Sequence, residues 1–185
     1  MISKIKLVEL LGTSLKSIDY TLSLIPKERF LFSPPHGKHP NAEKGFKTYF
    51  GEWSAARILF HVVFYERNYA VPAMEHWLGE AHPQFDLIFP DPGMEEIFWA
   101  NTVPDELSAL SLIQKLRSVR SEEILITEAV PETDFMDERL LTRLGKLSFV
   151  SIVMKTIQHT FEHGSDLLKN ALFWNGALEW LDKQG

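Results

Sequence analysis

The sequence predicts an all-α protein, an antiparallel four-helix bundle formed by residues 1–185 as one domain. Three observations support this. Apolar residues recur at helical spacing over four long stretches, proline and glycine separate those stretches, and no stretch alternates as a strand would.

The first helix reads from Ser3 to Ile25, with Val8, Leu11, Leu15, Ile18, Leu22 and Ile25 at steps of three and four, and Pro26 ends it. From Lys27 to Glu52 the chain turns to Pro34-Pro35, Gly37, Pro40-Asn41 and Gly45, a long loop without helical period. The second helix runs from Trp53 to about Leu78, and Pro72 should kink it or end it near Ala70. A second irregular stretch, Gly79 to Val103, holds one short helix at Met94 to Ala100. Its aromatic residues between Phe85 and Trp99 suit the cover of an apolar substrate, a subunit interface or plain loop anchoring. The third helix is capped by Asn101 or Thr102, has Pro104, Asp105 and Glu106 in its first turn, and closes at Pro131. A polar connection containing Gly145 leads to the fourth, from Lys146 to Trp174, stopped by Asn175-Gly176.

Composition narrows the function. The chain has 185 residues and no cysteine, so it forms no disulfide, thiolate metal site or catalytic thiol of its own. A formal net charge of −6 without a basic patch argues against nucleic acid and anionic membranes as partners. No apolar run approaches a membrane span, the N-terminus lacks the pattern of a secretory signal, and a cytoplasmic location is expected.

The chemistry concentrates in histidine. His159 and His163 stand four apart in an apolar helical stretch, hence on one helix face, where two imidazoles can grip one metal ion. His61, inside Trp53–Tyr65, a segment apolar nearly all round, supplies a third ligand from a second buried helix. Three nitrogen ligands describe an open, catalytic type of site, whereas structural zinc sites fill all four positions from protein. Imidazole suits several metals, with zinc or nickel ahead of iron or manganese. Arg57 and Tyr65 share the helix stripe of His61. Arg57 either holds a substrate carboxylate or pairs with an acidic residue, and Tyr65 either donates a proton near the metal or completes the core. Glu162 is the general base if His159–His163 is read as an H-x-x-E-H protease motif, and otherwise a surface or ligand-orienting carboxylate. Trp53 either lines the pocket or packs, and His36 and His39 belong to the proline-rich loop.

Trp53-Ser54 followed by His61 on helix two, then His159 and His163 on helix four, after a first helix and a proline-rich loop, resembles the DinB family of four-helix-bundle metalloproteins. The resemblance implies a three-histidine site for a divalent metal, a homodimer, and a thiol-dependent transferase acting on a small molecule with a low-molecular-weight thiol as cosubstrate. Where members often read His-Arg-Gly-Gln after the last ligand, this chain reads His163-Gly164-Ser165-Asp166. The rival readings are a metal-dependent hydrolase and a non-catalytic dimeric stress or binding protein with a structural or vestigial metal site.

Overall fold

The computed structural model describes residues 2–34, 53–79, 92–141 and 145–175, so His36, His39, His82 and the aromatics Phe85 and Phe89 lie outside the described residues. The structure is mostly helical, with one small two-stranded sheet. Helix α1 spans Lys4–Ser23, α2 Ala55–Tyr65, α3 Val71–Glu75, α4 Pro92–Asn101, α5 Ala109–Ala129 and α6 Phe149–Trp174, and strands β1 (Glu138–Leu141) and β2 (Gly145–Ser148) lie between α5 and α6. Serine opens most of the long helices: the side chains of Ser3, Ser54, Ser108 and Ser148 each accept the N–H three residues on.

Some boundaries differ from the sequence reading. The third long helix begins at Ala109, because Pro104–Leu107 form a separate 3-10 turn and Ser108 is extended and caps α5. The fourth begins at Phe149, because Gly145–Ser148 pair with Glu138–Leu141 as an antiparallel hairpin, with Gly145 at φ 77°. Pro72 does not stop the second helix. A π turn, Glu66–Ala70, joins α2 to α3, and the Val71 N–H reaches back five residues to the Glu66 carbonyl. Such a turn inserts one residue and rotates the helix beyond it by about 100°, while Glu66, four residues after the buried Val62, stays on the inward face of α2.

Helix α1 lies against α5 and α6, and α2 lies against the same two. The expectation of uniformly antiparallel helices is corrected by the end contacts. Lys4, opening α1, bonds to Glu128 and Glu132 at the far end of α5, so these two are antiparallel. Asn170, near the end of α6, reaches the Trp53 carbonyl before α2, so α2 and α6 are antiparallel as well. However, α1 and α6 end together, where Asn175 donates to the Leu24 carbonyl, and they run in the same sense. The same holds for α2 and α5, whose first turns share one cluster through Ile58, Leu59, Leu112 and Leu116. The connection from Gly79 to Ser108 is long enough to return the chain to the end where α2 began, and a long crossover permits parallel neighbours where a short loop forbids them.

Two apolar clusters fill the interior. One gathers Leu7, Leu11, Met74, Trp77, Ile126, Phe135, Phe149 and Val153; the other gathers Ile18, Phe30, Leu59, Phe64, Leu112, Leu116, Leu167 and Ala171. Between them every long helix contributes buried polar side chains: Ser14 from α1, Glu66 just after α2, Arg120 and Glu123 from α5, and Thr156, His159, Thr160 and His163 from α6. Arg120, fully buried, donates to Glu66, to Thr160 Oγ1 at 2.8 Å and to Ser14 Oγ at 3.3 Å, and its Nε lies 3.3 Å from Glu123 Oε2. Two carboxylates share one guanidinium. Burial, opposed only in part by Arg120 and Thr160, pushes the Glu66 carboxyl up to about 7, while burial and the charge of Glu66 raise Glu123 well above the carboxylate range.

Because the folded protein holds the Glu66 proton more tightly than the unfolded chain, stability is lost as pH rises from about 4.5 to about 7. In metal-free protein His159 acts in the opposite sense below pH 6.5, since its folded value is depressed, so the informative quantity is the difference between two proteins. Urea unfolding across this range should show wild type losing stability relative to Glu66→Gln as pH increases. Parallel pH profiles would contradict the buried proton.

Candidate metal centre

His61 projects from the second turn of α2, whose entry is fixed by the Ser54 cap and by the Ala56 N–H bonding the Phe30 carbonyl at 3.0 Å. His159 and His163 lie one turn apart on α6, on the face turned inward. The three converge. His61 Nε2 stands 3.0 Å from His159 Nε2, His163 Nε2 stands 3.2 Å from the same atom, and the ligating atoms of all three fall within 4.8 Å of one another.

Neutral imidazoles do not reconcile this arrangement. His61 Nδ1 donates to Glu95 Oε2 at 2.8 Å, and His163 Nδ1 faces Asp166 Oδ2 at 3.4 Å. Each carboxylate favours a proton on Nδ1, which leaves a lone pair on Nε2. Two lone pairs therefore point at His159 Nε2, and a single N–H there satisfies only one. A charged His159 is disfavoured, because burial and the neighbouring His163 and His61 push its pKa down to about 2. Its Nδ1 is buried without a hydrogen-bond partner among the described residues. A divalent cation accepts all three lone pairs at once. Nitrogens sharing one ion at about 2.0–2.1 Å would stand about 3 Å apart, as these do. The donor set fits the group.

The surroundings hold the ligands in place. Glu95 from α4 is a residue that sequence reasoning missed, although the short helix carrying it was anticipated. Burial raises its carboxyl, but the His61 hydrogen bond and Arg57 outweigh that and keep it below its usual range. Asp166 behaves alike, with burial opposed by His163 and Lys169, the latter at 2.8 Å. Arg57 is buried, pairs with Glu95 and with Glu96 at 2.6 Å, and lies 4.4 Å from the Trp53 ring, which in turn packs 5.2 Å from the His61 ring. The Tyr65 ring lies 4.1 Å from that of His159, and burial, with Glu123 and Glu66 adding to it, pushes its pKa up to about 12. Glu162 is not brought to the cluster. It is exposed, accepting from Gln158 at 2.7 Å with Lys155 at 4.0 Å, because it sits one position before His163 and so points off the inward face.

The chain matches no protein-family model and no curated protein. No helix among the described residues is long and apolar enough to cross a membrane.

Since Glu95 orients His61, Glu95→Gln should weaken zinc affinity by roughly 10- to 100-fold, as loss of a partner behind a metal ligand does. Glu96→Gln, which loses only an Arg57 contact, serves as the control. Competition with a fluorescent zinc chelator measures both, and equal affinities for the two variants would contradict the role of Glu95.

Proposed function

We propose that the protein is a divalent-metal enzyme of the DinB-like class, a four-helix bundle in which His61, His159 and His163 hold zinc or nickel, and that it transfers a low-molecular-weight thiol to a small-molecule electrophile. The observation that carries the metal reading is the convergence of three imidazole Nε2 atoms, two with a carboxylate behind them. The resemblance in order and placement of Trp53-Ser54, His61 and His159-x-x-x-His163 supports the thiol chemistry, and the absence of cysteine means the thiol comes from a cosubstrate. A cytoplasmic homodimer belongs to the same reading.

A divalent ion held there supplies Lewis acidity, which lowers the pKa of a thiol or water near it. The protein's own residues prepare that chemistry. Glu95 and Asp166 keep Nε2 of His61 and His163 turned inward, and Arg57 holds Glu95 ionised from the far side. In this reading Tyr65, still protonated far above neutral pH and packed against His159, acts as a proton donor and not a base. Burial of His159 and His163 keeps bulk water from that side of the cluster.

His159→Ala should remove the metal yet leave a folded protein, since the two apolar clusters do not include the histidines. The test is elemental analysis, circular dichroism and turnover of a low-molecular-weight thiol with an electrophile, each for wild type and variant, with and without chelator. The expected result is about one metal per chain in wild type, turnover abolished by chelator, and a helical, metal-free, inactive variant. A variant unfolded at room temperature would make the metal structural, because its binding energy would then be folding energy. A variant retaining stoichiometric metal would overturn the ligand assignment.

A further inference from the structure

A cavity of about 270 Å³ lies beside the metal cluster, between the π turn and the opening turns of α6. Tyr65, Tyr69, Ala70 and Ala73 line one wall, and Ile152 and Lys155 line the other. Two alanines, Ala70 and Ala73, line the cavity where larger side chains would have closed the gap. Tyr65 belongs to both places: one ring lines the cavity and also packs 4.1 Å from the His159 ring. Tyr69 stands edge-on to Tyr65, with centroids 5.6 Å apart and planes at 70°, a corner that suits a flat ring. Lys155 and His159 are one turn apart on α6, and Lys155 is near enough to disfavour a charge on that imidazole. The Lys155 side chain lines the cavity and is about half exposed, and its ammonium meets Glu162 only at 4.0 Å, a loose partner. The volume is at the small end of ligand pockets and admits a body of one or two rings.

We propose that this cavity is the substrate pocket of the metal centre, and that it takes a small molecule with a flat apolar body and a carboxylate, the body lying against Tyr65 and Tyr69 and the carboxylate paired with Lys155. The word substrate rests on the metal-enzyme reading above, whereas the pocket's ligand class rests on its own walls.

The probes are 2-naphthoate and its neutral counterpart 2-naphthamide, titrated calorimetrically into the protein as purified. Both should bind once per chain, with the naphthoate about fivefold tighter, as a partly exposed ion pair provides. Lys155→Met should abolish that preference while keeping naphthamide binding, and Ala73→Phe should abolish both. Binding of neither probe, or undiminished binding in a folded Ala73→Phe, would overturn the pocket; a preference that survives Lys155→Met would overturn the role of the lysine. A measurement that needs no variant is the relaxation of 2-naphthoate protons in cobalt(II)-loaded against zinc-loaded protein. Enhanced relaxation by cobalt is expected, and equal relaxation would place the ligand away from the metal and overturn the substrate assignment. Failure of the protein to retain either metal would instead refute the metal reading, with the calorimetry still deciding the pocket.

Discussion

Three imidazole nitrogens facing one another at 3.0 and 3.2 Å are the constraint on which the rest of the molecule turns. Neutral histidines in that arrangement leave two lone pairs opposed to a third nitrogen, and burial disfavours a second proton on His159. Such a contact needs helices α2 and α6 held together by other means, and a divalent cation could take up the opposed lone pairs. The helices are fixed by apolar packing on either side of the cluster, and the ligands by Glu95 and Asp166 behind two of the rings.

The histidine cluster belongs to a polar layer that cuts across the interior. Ser14, Glu66, Arg120, Glu123 and Thr160 continue inward from the histidines, and Tyr65 joins the two parts, packing on His159 while feeling the charges of Glu66 and Glu123. A buried charge network of this kind is expensive compared with an apolar core of the same volume, so it contributes little to stability. It joins distant parts of the chain: Glu66, where the π turn begins, reaches Arg120 on α5, and Ala70 and Ala73 line the cavity beside the histidine cluster.

Much of this is legible in the sequence, for physical reasons that differ by residue. The i, i+4 spacing of His159 and His163 and the all-round apolar character of the segment around His61 place the three on facing helices, and they meet. Arg57 pairs with acidic residues, one of its two anticipated roles, but periodicity does not reveal Glu95 as its partner, because the path of a proline-interrupted excursion is set by tertiary contacts. On α1 the inward stripe is Leu7, Leu11, Ser14, Ile18 and Thr21, partly displaced from the apolar row read from the sequence because two of its members are polar. Nothing in the sequence singles out Arg120, Glu66 or Glu123, because no sequence pattern marks a charge whose partner is far along the chain. Helix direction escapes the sequence for a related reason: the rule that neighbours alternate assumes short connections.

The most direct measurement of the central claim is X-ray absorption at the metal edge of the protein as purified. The account predicts a single metal environment of nitrogen and oxygen scatterers at about 2.0–2.1 Å, if the ion is zinc, with the outer-shell scattering of three imidazole rings and no sulfur before thiol is added. Fewer than three imidazoles around a stoichiometric metal, or no metal retained by protein purified without chelator and supplied with zinc, would contradict it.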